Sequence, residues 1–462
     1  MVFLKNNMRH TIHSPITTLL LFLIGTAFLL SSCTWTTLRP HLIASSILDL
    51  KSKGFPLESD EFNQEMEIIT GRGRHLNNQL MLLKNGEEIF PMILKLINSA
   101  QKYIFIDQYA FQGEGVGSTI ASALKKRANE GVEICIVYDY LGSRETSSFF
   151  WNDLANHHIK VRPFNPLPWW TIIRFNNRNH RKIVLVDGET GLIGDFGIGK
   201  QYEGDGYSGG SWRVSAILIR GPAVSDLEDV FLESWEEAGI GIIKKDLPIP
   251  LINILWDIPL SLFAKSGEEQ EKPLPYKLES GSAVRVISST PSWGSTDILE
   301  AFLLAFQSAE KTIHITQTYF IPNSRIRNAL IDASKRGVDV KIILPGQTDV
   351  KLAKSAAEMS YQELLEGGIR LFEREGSMLH TKAMVIDSIW SSLGSCNIDD
   401  RSFILNYECN LNVDNEKFGK SMEKMFAEDI EYCKEITLKS WEKRSWWKRF
   451  RIKLLTPIIK QL

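Results

Sequence analysis

Asn179-His180-Arg181-Lys182-Ile183-Val184-Leu185-Val186-Asp187 has a counterpart about 200 residues later, Leu379-His380-Thr381-Lys382-Ala383-Met384-Val385-Ile386-Asp387. Both read H-x-K-x-x-x-x-D on a run of β-forming residues. Side chains two apart on a strand share a face, so His180 points with Lys182 and His380 with Lys382. The apolar runs Ile183 to Val186 and Ala383 to Ile386 suit buried strands. Asp187 and Asp387 lie an odd number of steps from their histidines. In a regular strand they point the other way, which suits a structural or orienting task. A lysine ammonium is a cation with several donors, suited to a phosphate oxygen. Histidine titrates near neutrality, so two histidines can divide the work of nucleophile and general acid. A lone H-x-K pair is ordinarily a surface feature. Two in corresponding places predict one phosphate site assembled from two halves.

The flanking sequence repeats as well. Ile89 to Ala100 reads as a helix, Lys102 to Tyr109 as a strand, Thr119 to Asn129 as a helix closed by Gly131, and Val132 to Tyr138 as a strand. The second copy reads helix over Ile298 to Glu310, strand over Thr312 to Thr318, helix over Arg325 to Arg336 closed by Gly337, and strand over Val338 to Leu344. The glycines supply the left-handed residue that ends a helix. Alternating strands and helices predict a mixed α/β sheet flanked by helices. Duplication predicts two such lobes about a pseudo-twofold axis.

These residues resemble the phospholipase D superfamily, and within it the bacterial cardiolipin synthases. The second half carries the resemblance best, through Gly394-Ser395-Cys396-Asn397, Asn397-Ile398-Asp399-Asp400-Arg401-Ser402-Phe403 and Leu405-Asn406-Tyr407-Glu408. Thr318-Tyr319-Phe320-Ile321-Pro322, Arg336 to Pro345, Arg178 to Lys182 and Gly221-Pro222-Ala223-Val224 fit the same subgroup. The first half departs from it. Gly194-Asp195-Phe196-Gly197 stands where the family often has G-[SG]-x-N. Val214-Ser215-Ala216 replaces the D-x-H that usually follows Trp212-Arg213. One orienting carboxylate is therefore missing, while its counterpart Glu408 is kept.

The resemblance implies duplicated phospholipase D-type lobes and transfer through a covalent phosphohistidine. The candidate catalytic set is His180, Lys182, Asp187, His380, Lys382 and Asp387. By family analogy His180 is the nucleophile and His380 the acid, though the sequence alone leaves the swap open. Ser395 and Asn397 would add donors, and Glu408 would orient one histidine. The lysines would take the place of a metal, so neither metal nor cofactor is expected. The implied substrate is a phospholipid. With phosphatidylglycerol as the incoming alcohol the products are cardiolipin and glycerol. The alternatives are a phospholipase D or other phosphodiesterase using water, and a lipid-binding protein with impaired catalysis.

The 462 residues, 44% apolar and 23% charged, suffice for two or three globular domains. A net charge of -2 argues against a nucleic-acid partner by bulk electrostatics. Cys135, Cys396, Cys409 and Cys433 have no zinc spacing and read as buried hydrophobes. Residues 1–35 read as a signal, lipoprotein or membrane-anchor segment. Lys5 and Arg9 precede an apolar run from Ile16 to Leu30, and Leu30-Ser31-Ser32-Cys33 resembles a lipobox that would lipidate Cys33. Either form places the body at the bacterial membrane on its non-cytoplasmic side. Residues 36–75 read as an adapter, 76–245 as the first lobe, 246–280 as a Pro-rich connector and 281–437 as the second lobe. Residues 438–462, basic and Trp-rich, suit an anionic bilayer surface. Pro163 to Phe175, with Trp169 and Trp170, reads as a membrane-facing loop beside the site.

Overall fold

A computed structural model describes residues 54–166, 176–208, 210–243, 278–291 and 295–443. Cys33, most of the 163–175 loop, the connector apart from its last three residues, and the C-terminal basic segment beyond Lys443 lie outside the described residues.

The first half contributes strands β1 (His75–Lys84), β2 (Tyr103–Gln108), β3 (Glu133–Asp139), β4 (Lys160–Phe164), β5 (Lys182–Val186), β6 (Thr190–Gly194) and β7 (Ser215–Arg220). The second contributes β8 (Glu279–Ser289), β9 (Thr312–Gln317), β10 (Phe320–Ile321), β11 (Asp339–Pro345), β12 (Arg370–Arg374), β13 (Lys382–Ile386), β14 (Trp390–Gly394), β15 (Ile398–Asp399), β16 (Glu408–Asp414) and β17 (Cys433–Ile436). Fifteen of these form one sheet. Its order is β4-β3-β2-β5-β6-β7-β1-β8-β16-β14-β13-β9-β11-β12-β17. The order runs outward identically from the central β1–β8 pair, with β17 added at one edge. That pair is antiparallel, as a twofold requires, with His75 opposite Val284 and Leu80 opposite Glu279.

Burial on both faces explains the motif strands. Ile183 and Leu185 of β5 enter an inner apolar layer with Leu80, Val284, Leu393 and Leu411, which come from both halves. Helices Val224–Ile243 and Glu416–Ile430 cover that layer through Phe231 and Phe418. Val184 and Val186 face the outer layer of the first lobe, beneath helices Asn85–Ser99 and Val116–Asn129. Met384 and Ile386 face the outer layer of the second lobe. Each such side chain contributes about 1.5–3 kcal/mol by leaving water. A one-residue slip would exchange every face, so the register of the histidine strands is tightly set.

The repeated helices and strands lie where their periodicity predicts. Gly131 and Gly337 both have φ +94°, the left-handed conformation expected after the two helices. The adapter holds a helix the sequence did not announce, Asp60–Thr70, with Ser59 as its N-cap. Its Phe62 and Met66 pack with Phe302 of helix Asp297–Ser308, inside the core of the second lobe.

Candidate active site

The site lies where β2 and β9 end and β5 and β13 begin. In antiparallel register Lys182 is opposite Gln108 and Lys382 opposite Gln317, so each lysine shares a face with a buried glutamine. Just before each lysine the chain makes an isolated bridge to the other lobe. His180 N donates to Tyr407 O at 2.9 Å, and Tyr407 N to Arg178 O at 2.9 Å. Pseudo-symmetrically, His380 N donates to Arg213 O at 2.8 Å, and Arg213 N to Met378 O at 2.8 Å. Each histidine is thus anchored by the lobe that does not encode it.

The imidazoles differ in what meets Nδ1. For His180 it is Glu408, with Nδ1 2.9 and 3.0 Å from the carboxylate oxygens. Burial alone would raise the Glu408 carboxyl, but His180 and Lys182 hold it below its ordinary value, so it is an ionised acceptor. His180 Nδ1 must then carry the proton. Ser395 Oγ donates to Glu408 Oε2 at 2.6 Å and Asn406 Nδ2 to Oε1 at 3.2 Å. For His380 the partner is the main-chain carbonyl of Asp195 at 2.7 Å. A carbonyl can only accept, so His380 Nδ1 is protonated too. In both neutral histidines Nε2 is therefore the unprotonated nitrogen, and that of His380 has Lys382 Nζ at 3.4 Å.

Burial pushes His180 down to about 4, against the attraction of Glu408. Burial and then the two lysines hold His380 well below its ordinary value. Burial also lowers Lys182 to about 7 and Lys382 to about 8. Each histidine feels both lysines, which marks the two halves as one electrostatic site. Lys382 Nζ bonds Thr318 Oγ1 at 2.9 Å and His380 O at 2.8 Å, and Lys182 Nζ bonds His180 O. Tyr109 stands edge-on to His180 with ring centroids 5.0 Å apart. Tyr202 and Trp212 lie 5.5 and 5.3 Å from His380. None of these aromatic walls stands out as a site residue in the sequence, although Trp212 lies in the Trp212-Arg213 stretch. Nor does Gln108, whose buried amide Nε2 and Oε1 have no partner among the described residues.

Two sequence-named groups do other work. Asp187 and Asp387 end their strands roughly 16 Å along the chain from the lysines, at about 3.3 Å per residue. Asp187 accepts the N–H groups of Gln101, Lys102 and Tyr103 at 2.7, 2.7 and 2.9 Å. Asp387 does the same for Glu310, Lys311 and Thr312 at 2.8, 2.7 and 2.7 Å. The motif aspartates therefore pin a turn and do not join the catalytic set in which the motif had placed them. The Ser395 hydroxyl is given to Glu408. Asn397 stays at the site edge, where Oδ1 accepts from Tyr319 N at 3.4 Å and Nδ2 faces Ser402 Oγ at 3.4 Å. The described cysteines are free, and Cys396 is buried. No group of three or more metal-ligating side chains occurs among the described residues.

Residues 93–204 and 303–430 match a family model described as cardiolipin synthase, PLD-like domain. The chain belongs to the cardiolipin synthase family of phospholipase D-like proteins. A cardiolipin synthase of Clostridium perfringens (strain SM101) is 32% identical over 406 residues, spanning 86% of this chain and 79% of that protein. One from Listeria innocua is 28% identical over 426 residues, spanning 90% and 84%. The crystal structure of phosphatidylserine synthase from Haemophilus influenzae Rd KW20 shares the fold. Its TM-score is 0.62 at 16% identity, covering 87% of this chain and 98% of that one. This member of the cardiolipin synthase family is accordingly a phosphatidyltransferase enzyme with a phospholipid substrate.

Proposed function

We propose that the enzyme joins two phosphatidylglycerols into cardiolipin and glycerol, with His180 as nucleophile and His380 as general acid and base. The unequal partners of the two imidazoles carry this reading. A carboxylate on Nδ1 strengthens Nε2 as a nucleophile and stabilises the positive charge that develops when Nε2 bonds phosphorus. That describes His180 on Glu408. A neutral carbonyl on Nδ1 leaves the imidazolium less stabilised and readier to give up its Nε2 proton, which describes His380.

His180 Nε2 attacks phosphorus, and the bond from phosphorus to the glycerol oxygen breaks as His380 protonates that oxygen. The hydroxyl of a second phosphatidylglycerol then gives its proton to His380 and attacks phosphorus, releasing His180. Lys182 and Lys382 offset the phosphoryl charge, and the amides of Gln108 and Gln317 face the same space. Burial and then the two lysines keep His380 neutral; the substrate's phosphate anion offsets the lysine part, so binding shifts His380 toward the protonated acid. Asp187 and Asp387 have no part in this chemistry.

Membrane placement is part of the proposal. Exposed Tyr140 and Phe149 follow β3, and exposed Val350 and Ile404 follow β11 and β15; β3 and β11 run parallel to β2 and β9, which end at Gln108 and Gln317. Such apolar tips suit an enzyme whose substrates keep their acyl chains in lipid. No helix among the described residues is long and apolar enough to cross a membrane.

The full-length protein, incubated with phosphatidylglycerol vesicles in a metal chelator, should form cardiolipin and glycerol. Phosphatidic acid as the sole product would make it a hydrolase, and absence of turnover a binding protein. A labelled phosphoryl group should be trapped in H380A and not in H180A; the reverse pattern refutes the role assignment.

A further inference from the structure

Each half holds a buried acid bonded to a serine hydroxyl, but the strand and the turn supply them in opposite order. In the second half the acid is on the strand and the hydroxyl on the turn, with Ser395 Oγ donating to Glu408 at 2.6 Å. In the first half the hydroxyl is on the strand and the acid on the turn, with Ser215 Oγ donating to Asp195 Oδ2 at 2.6 Å. The backbone frame around them is common. Asp195 N donates to Ser215 O at 3.0 Å and Ser395 N to Cys409 O at 3.0 Å. Ser215 N returns a bond to Asp195 Oδ1 at 2.8 Å, and Cys409 N returns one to Ser395 Oγ at 2.9 Å. In this register Val214, buried and apolar, occupies the place of Glu408.

We propose that Asp195 replaces the carboxylate missing from position 214 and acts as a positioning residue for His380. Its carbonyl receives His380 Nδ1 at 2.7 Å, while its carboxylate receives Lys382 N at 3.1 Å. One residue of the first lobe thus grips the chain of the second on both sides of Thr381. The carboxylate is wholly buried, and its oxygens accept three donors. A buried carboxylate is tolerated when it is so satisfied. The usual small residue here could not reach Lys382 N, and the backbone carbonyl that meets His380 Nδ1 would lose the second contact that fixes it against the His380 strand. The relocation also makes the site asymmetric, with charge on the ring of one histidine and a neutral carbonyl on that of the other.

This inference rests on His380 being the acid of the proposed reaction, and the test separates the two. The amide of D195N turns one acceptor into a donor, facing the N–H of Lys382 or of Ser215. With phosphatidylglycerol, whose leaving glycerol needs a proton, kcat of D195N should fall roughly tenfold or more while KM stays within about threefold. With phosphatidyl-p-nitrophenol, whose leaving group departs as a stable anion, the release burst should stay near wild type. The double variant D195S/V214E, which restores the common arrangement, should recover phosphatidylglycerol turnover relative to D195S. Equal loss on both substrates, or no loss on either, overturns the proposal. If wild type transfers neither substrate, the assigned reaction fails instead. Diethyl pyrocarbonate labelling, mapped by mass spectrometry, then decides. D195N should change the labelling rate at His380 and leave His180 unchanged, and equal rates in both proteins refute the positioning role.

Discussion

A histidine that is to carry a phosphoryl group needs a free Nε2 and a place for the charge it acquires. Glu408 supplies the second, so E408Q should lower kcat on phosphatidylglycerol by about 10²- to 10⁴-fold with a smaller change in KM. Steady-state kinetics and the yield of trapped phosphohistidine would measure it, and a kcat within a few-fold of wild type contradicts it. The lysines set the pH window. They are cations below about 7 and about 8, because burial lowers both, and they lose charge as pH rises through those values. His180 takes up a proton only near 4. The profile of kcat/KM should therefore fall on the alkaline side between those lysine values, and a profile still level at about pH 10 would refute lysine control. The histidines, lysines and Glu408 could all be named from sequence. Which histidine Glu408 serves could not, because that contact joins residues 228 apart in the chain. Asp195 was visible only as an anomaly, and its use depends on a carbonyl that no side-chain pattern reports.

At the level of elements, the two motif aspartates are pins that fix where β2 and β9 begin. Replacing the carboxylate in D187N or D387N should destabilise the fold by about 2 kcal/mol, given the three backbone N–H hydrogen bonds each one accepts. Urea titration would measure the loss, while kcat per folded molecule stays near wild type. A large fall in kcat with unchanged stability would return these residues to the catalytic set. The repeated strands and helices were legible because period and closing glycines agree. The helix Asp60–Thr70 was not, since its apolar face is short and its partner, helix Asp297–Ser308, lies in the second lobe. Strand β1 was hidden by Asn77, Asn78 and Gln79, polar residues within a strand. Asn78 is fully buried, and its side chain bonds His75 O and Ala223 N rather than water.

On the scale of the molecule, the lobes are joined by the β1–β8 seam, by a common inner layer and by a buried charge cluster. Asp429 of helix Glu416–Ile430 receives Arg213 of the first lobe at 2.7 and 3.0 Å and Arg374 of the second at 3.1 Å. All three are buried, so D429A strands two cations and should cost about 3–5 kcal/mol. Thermal unfolding would register this, and a melting point unchanged within error refutes it. Arg213 also carries the carbonyl that holds His380 N, so loss of activity should accompany loss of stability. The seam has an evolutionary corollary. A chain containing one half alone would carry a bare sheet edge at β1 or β8 and a histidine whose anchor belongs to someone else. It could complete both only by meeting another half, so the duplicated enzyme has the architecture of a dimer whose partners have been tied into one chain.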